Sequence, residues 1–133
     1  MFDIEICEAR EIVLVRFRGQ LSEQDFTALD KLANEARAAM AAYDCIYDMT
    51  NVERIDLATE FVAARGDVPQ AYKDRERIYV VHEADLKLLV RLYAAYQSAQ
   101  GWRAPAIVAT LAEAMSRLGV APSDFSPIAS EKR

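Results

Sequence analysis

The one histidine of the chain, His82, stands directly before Glu83 and close to Asp85. An imidazole beside carboxylates can serve as a base or a pH sensor. Nucleophilic chemistry also needs an activated Ser or Cys within reach of that imidazole, and a metal site needs a second ligand. The order of residues supplies neither. Cys7 and Cys45 lie far apart, neither in a CxxC, and read as small buried hydrophobes. With four glycines in all, no GxGxxG or GxxxxGK[ST] loop is present to cradle a phosphate. No catalytic residue, metal or cofactor is therefore expected. A second grouping is more suggestive. Asp48 closes an apolar run (Cys45, Ile46, Tyr47), Thr50 and Asn51 follow, and Asp56 precedes Leu57, Ala58 and Thr59. Carboxylates at both ends of a segment that leaves a strand and enters a helix suit recognition or amide capping. A third grouping is Tyr93, Tyr96 and Trp102, which either pack the core edge or rim an apolar ligand pocket.

The elements that must position these groups follow from hydrophobic period. Phe2, Ile4 and Ile6 alternate with Asp3, Glu5 and Cys7, and Val13, Val15 and Phe17 alternate over Ile12–Arg18. Period two and a short connection predict an antiparallel hairpin. Its other face, Ile12, Leu14, Arg16 and Arg18, is apolar at one end and charged at the other, so only part of it should be covered. Ser22 with Asp25 reads as a helix start, and Phe26, Leu29, Leu32, Ala33, Ala36 and Met40 form one apolar stripe. A third strand is predicted over Asp44–Met49, with a polar turn after it. A short helix follows over about Leu57–Arg65, with Asp56 as its N-cap. A polar loop with Pro69 leads to a fourth strand at Arg77–Val81. Asp85 is placed as the cap of a third helix carrying Leu86, Leu89, Val90, Tyr93 and Tyr96. Leu88, Leu92 and Ala95 widen that helix's apolar band, which predicts covering by more than the sheet. A fifth strand over Ala104–Ala109 precedes a helix opened by the Thr110/Glu113 box and closed by Gly119. Residues 126–133 show no period and are expected to fray.

The order is β-β-α-β-α-β-α-β-α. It predicts an α/β domain over 1–125 with a single mixed five-stranded sheet and about four helices, whose helix-linked strands are parallel. At 133 residues one domain can bury its own core. The balance of 16 basic and 21 acidic residues, interleaved along the chain, speaks against nucleic acid as a partner. No apolar run approaches the ~20 residues of a membrane span, and the acidic, alternating N-terminus does not look like a signal peptide. A cytoplasmic location is expected. The Arg65–Gly66–Asp67 triplet is read as coincidence.

Asp48, Met49, Thr50, Val52, Ile55 and Asp56 fall on the pattern D-L-S-x-V-x-x-I-D-S-S-G. With the element order, this segment resembles the STAS domain. That SpoIIAA-like family includes bacterial anti-sigma factor antagonists and the cytoplasmic domains of sulfate transporters. The resemblance implies a non-enzymatic protein-interaction domain in bacterial regulatory signalling, with a regulatory kinase or an anti-sigma factor as partner. In the antagonists the second serine of S-S-G accepts phosphate. Here Leu57, Ala58 and Thr59 occupy the triplet, so the phosphoacceptor position is Ala58, which has no hydroxyl. Thr59 lies one residue on, a rotation of about 100° around a helix, and Thr50 is the other hydroxyl of the segment. A partner-binding surface of Thr50, Asn51, Asp56 and Thr59 is expected. The alternative is a domain of related Sec14-like fold that binds a small apolar or lipid-like molecule through a pocket at Tyr93, Tyr96 and Trp102. Ile12 and Leu14 offer a patch either for a homodimer or for a terminal segment of the chain to cover.

Overall fold

The computed structural model describes residues 1–35, 43–68 and 75–131. β1 (Phe2–Cys7) turns through a short 3-10 segment (Glu8–Arg10) into β2 (Ile12–Ser22). There follow α1 (Glu23–Glu35), β3 (Asp44–Asp56), α2 (Thr59–Gly66), β4 (Arg77–Val80), α3 (Ala84–Ala99), β5 (Ala106–Val108), α4 (Leu111–Leu118) and β6 (Ser126–Glu131). The sheet runs β5-β4-β3-β2-β1-β6. The pairs β2/β3, β3/β4 and β4/β5 are parallel, and β1 is antiparallel to both neighbours.

The mixed sheet and four helices agree with the order read from the sequence, with one strand more. Residues 126–131, expected to fray, pair with β1 as β6. Their lack of period has a physical reason. Strand β6 lies at the sheet edge, where Pro127 and the half-exposed Ile128 face no second layer. Residues 132 and 133 lie outside the described residues, as do Ala36 and Met40 of the predicted stripe and Pro69.

Two apolar layers sandwich the sheet. Phe2, Val15, Phe17, Met49 and Tyr79 pack on one face with Phe26 of α1, Phe61 of α2 and Leu86 and Val90 of α3. The other face holds Ile12, Leu14, Ile46, Ile78 and Val80 under Ala114 and Met115 of α4, with Phe125 beside them. Ile12 and Leu14 are thus fully covered within the chain, so the proposed dimer patch is not exposed. The polar end of that face is closed by cross-strand ion pairs instead. The Arg18 Nε meets Asp3 at 2.9 Å and the Arg16 Nε meets Glu5 at 3.1 Å.

Local chemistry explains where the helices begin. The Ser22 backbone N–H donates to Asp25, which is fully buried and also receives the N-terminal ammonium at 2.6 Å. Thr110 accepts from the Glu113 N–H, and Gly119 ends α4 at φ 69°. Arg10 donates to the carbonyls of Leu118 and Gly119, capping the same helix end from the hairpin turn. For α3 the expected cap is displaced: Glu83, not Asp85, caps the helix. Its carboxylate accepts from the N–H groups of Asp85 at 3.1 Å and Leu86 at 2.8 Å.

Candidate functional site

The site segment does not loop out after Met49 as expected. β3 continues to Asp56, beside β2 as far as Ser22, although its pairing with β4 stops at Asp48. Two irregularities make this continuation work. Between Arg16 and Arg18 of β2, β3 advances from Asp48 to Asn51, and between Gly19 and Gln20 it advances from Val52 to Arg54. Each inserts one extra residue into β3, as a bulge does. A regular strand would put Met49, Val52 and Ile55 on alternating faces. The bulges bring all three, and then Leu57, onto the helix-covered core. The remaining positions, Asn51, Glu53, Arg54 and Asp56, are exposed. The three-residue spacing of Met49, Val52 and Ile55 was the sequence signal for this, and it reads as a turn only because it fits neither ordinary period.

Along this ribbon the expected partner residues occupy different settings. Asp48 is only 3% exposed. Its carboxylate accepts from the Thr50 N–H at 3.0 Å and the Thr50 hydroxyl at 2.7 Å. Thr50 is therefore half-buried with its hydroxyl engaged. Asn51 is open. Asp56 does not cap α2: it stands at the end of β3 and accepts from Gln20 Nε2 at a long 3.5 Å. Ala58 occupies the N-cap position of α2 with φ −73° and ψ 143°, and no side chain caps the helix there. Ala58, Thr59 and Glu60 are exposed. Thr50 and Asp56 sit up to roughly 20 Å apart at the ~3.3 Å rise of a strand. The structure thus spreads these residues along one exposed ribbon and the helix start after it, and does not gather them into a cleft.

His82 follows β4 at the same sheet end and is exposed. Glu83, its neighbour, is committed to α3, and the N–H groups of Leu86 and Asp85 hold its carboxyl below the usual carboxylate range. Cys45 lies at the opposite end of the parallel strands, opposite Arg77 of β4. Burial pushes its thiol up to about 12, with the Tyr47 hydroxyl only partly countering that. A thiol so placed is a poor nucleophile. Among the described residues no group of three or more His, Cys, Asp or Glu comes together to hold a metal.

The aromatic grouping separates. Tyr93 stacks obliquely on Tyr79 at 5.9 Å, and its hydroxyl accepts from Arg77 at 2.7 Å. It lines an apolar cavity of about 40 Å³ between the sheet, α2 and α3, with Phe26, Phe61, Tyr79 and Val90 among its walls. Tyr96 and Trp102 do not reach it. An engineered apolar cavity that takes up benzene measures about 150 Å³, so this one is far too small for an acyl chain. Sequence reasoning missed Gln97 altogether. It is fully buried, and its amide donates to the carbonyls of Gly66 at 2.7 Å and Val68 at 3.0 Å while its oxygen accepts from Arg77. The network ties α2, α3 and β4 together. A lone Gln on a helix carries no pattern that reveals such a role. The Arg65–Gly66–Asp67 triplet ends α2: Arg65 forks onto Asp30, Gly66 is buried, and Asp67 accepts from Gln100. It is not presented as a loop.

No protein-family model and no curated protein sequence matches the chain. Its structure is similar to that of the anti-sigma factor antagonist SpoIIAA in its unphosphorylated form, with a TM-score of 0.62 at 17% sequence identity, over 90% of this chain and 98% of that one. The chain therefore has the STAS, or SpoIIAA-like, fold. Among the described residues no helix is long and apolar enough to cross a membrane.

Proposed function

We propose that this chain is a non-enzymatic, cytoplasmic interaction domain of bacterial regulatory signalling, which docks a protein partner through the exposed ribbon of β3 and the start of α2. The observation that carries this reading is the pairing of a bulged strand with an uncapped helix start. The bulges commit Met49, Val52 and Ile55 to the core and turn Asn51 and Asp56 to solvent, with Thr59 exposed on the next element. The solved structure of like fold is that of an anti-sigma factor antagonist, which favours a regulatory kinase or anti-sigma factor as the partner class.

The same geometry supports a constitutive form of that role. Ala58 sits where the family pattern has its acceptor and offers no oxygen. Thr50 turns its hydroxyl to the buried Asp48, where an added phosphate would meet a carboxylate. Thr59 lies one residue on from the acceptor position, about 100° around a helix. The test uses the full chain, labelled ATP and the serine kinases encoded in the same genome. The wild-type chain is expected to bind one of them and remain unlabelled, and Ala58→Ser to gain label at position 58. Asn51→Ala with Asp56→Ala is expected to weaken binding about tenfold or more, the loss of roughly 1.4 kcal/mol. Label on Thr50 or Thr59 of the wild type would refute the constitutive reading. Undiminished binding by the double variant would refute the surface.

A further inference from the structure

We propose that the outer face of α3 is a second docking surface, shaped for an amphipathic helix of a partner protein whose apolar stripe is bordered by Asp and Glu. Leu88, Leu92, Ala95, Tyr96 and Ala99 recur along α3 at intervals of three and four, so they share one face. The opposite face, with Leu86, Val90 and Gln97, is the one turned to the core. Of the first set, Leu88, Ala95, Tyr96 and Ala99 are exposed and Leu92 is half-buried. Leu88 is 62% exposed and Tyr96 38%, and Val68, whose carbonyl is held by Gln97 of α3, is 60% exposed. Three of the four large exposed apolar side chains among the described residues therefore lie on or beside this helix. The covering expected beyond the sheet is partial: α2 packs on α3 at Gly66 and Tyr96, and Leu92 is half-buried, while Leu88 and Ala95 stay exposed.

Charge says what fits there. Lys87 and Arg91, one turn apart, flank the stripe on a single side, and Asp85 marks its N-terminal end. Among the described residues neither cation has an ion pair or hydrogen-bond partner. The arginines elsewhere are largely committed, Arg65 to Asp30, Arg103 and Arg117 to Glu76, and Arg77 to Tyr93 and Arg103. An apolar helix face with two free cations along one border selects a helix with acidic flanks. A second copy fits poorly. An antiparallel two-fold pairing of α3 with itself sets like flank against like flank, bringing Lys87 and Arg91 to the same side as their copies. An anionic bilayer fits poorly too: an extended surface meets the field of the whole chain, net charge −5, whereas a single helix meets chiefly the local charges of Lys87 and Arg91. The surface is distinct from the one proposed above: Tyr96 packs against Gly66, the last residue of α2, whereas Thr59 is the first.

The test titrates the isotope-labelled full chain with two synthetic helical peptides that share one leucine stripe. One is flanked by Glu and the other by Lys. The Glu-flanked peptide is expected to bind at least tenfold tighter and to shift amide resonances within Ala84–Ala99. Lys87→Glu with Arg91→Glu should invert the preference, and Leu88→Ser should abolish binding without moving the unfolding midpoint. Asn51→Ala with Asp56→Ala should leave peptide binding intact, so failure of the β3 surface and failure of this one are separable. Equal affinity for both peptides, or shifts confined to β3, would overturn the proposal. So would a Leu88→Ser chain that loses stability, since the face would then be packed within the chain. Self-association abolished by Leu88→Ser, or uptake by phosphatidylglycerol vesicles in preference to the acidic peptide, would assign the face to another occupant and overturn it equally.

Discussion

Gly66 leaves no room for a side chain. A Cβ placed there would fall on the Cβ of Tyr96 and lie 3.3 Å from the Tyr93 carbonyl oxygen. In an exposed helix, replacing Gly by Ala stabilises by about 1 kcal/mol. Here the close approach of α2 to α3 reverses the sign. Gly66→Ala is expected to lower stability by about 2 kcal/mol, the usual scale of overpacking, seen as a lower urea midpoint at unchanged slope. A stabilised variant would mean that the two helices do not meet at this residue. The crossing was not legible beforehand. Gly66 sits in a triplet that invites a different reading, and only the neighbouring helix, distant in sequence, shows why a side chain is excluded.

Helix α3 owes its start to one carboxylate. The Leu86 and Asp85 N–H groups favour the ionised form of Glu83, so its folded-state pKa lies below the unfolded value. The sign follows by linkage: the stabilisation is fully present above the unfolded value, about 4.3, and is lost as pH falls through the folded one. Glu83→Gln should therefore narrow its stability deficit to wild type as pH drops from 6 towards 3, measured by urea unfolding across that range. A deficit independent of pH would show that the cap is not charged. At this scale the sequence was a good guide to existence and a poorer one to boundaries. The Thr110/Glu113 box and Gly119 place α4 almost to the residue, because capping chemistry is local. Glu83 and Asp85 are acids of equal capping chemistry on paper, so the sequence places the cap of α3 two residues late. β3 reads as ending at Met49 in the sequence because bulges erase the alternation by which strands are recognised.

Across the whole molecule, both sheet edges are blunted. β5 has three residues and follows Pro105, while β6 carries Pro127, which offers no N–H to an incoming strand. β6 in turn shields β1, whose alternating Phe2, Ile4 and Ile6 would otherwise border open backbone. Removing residues 126–133 is expected to cost about 2 kcal/mol, since each ladder hydrogen bond nets about 1 kcal/mol before the ordering entropy is subtracted. It should also make the chain associate with rising concentration in sedimentation velocity. A truncated chain that stays monomeric and equally stable would show that β6 is dispensable. The architecture itself was legible because helix-linked strands have few ways to run. The sixth strand was not, since an edge strand beside one neighbour needs no hydrophobic pattern.

The bulged ribbon also separates two kinds of inheritance. From Met49 onward every third side chain of β3 belongs to the interior, and Asn51, Glu53, Arg54 and Asp56 are exposed to whatever approaches. Substitutions at Asn51, Glu53, Arg54 and Asp56 can rewrite recognition with little effect on folding, and a lineage carrying this domain can change allegiance one surface residue at a time.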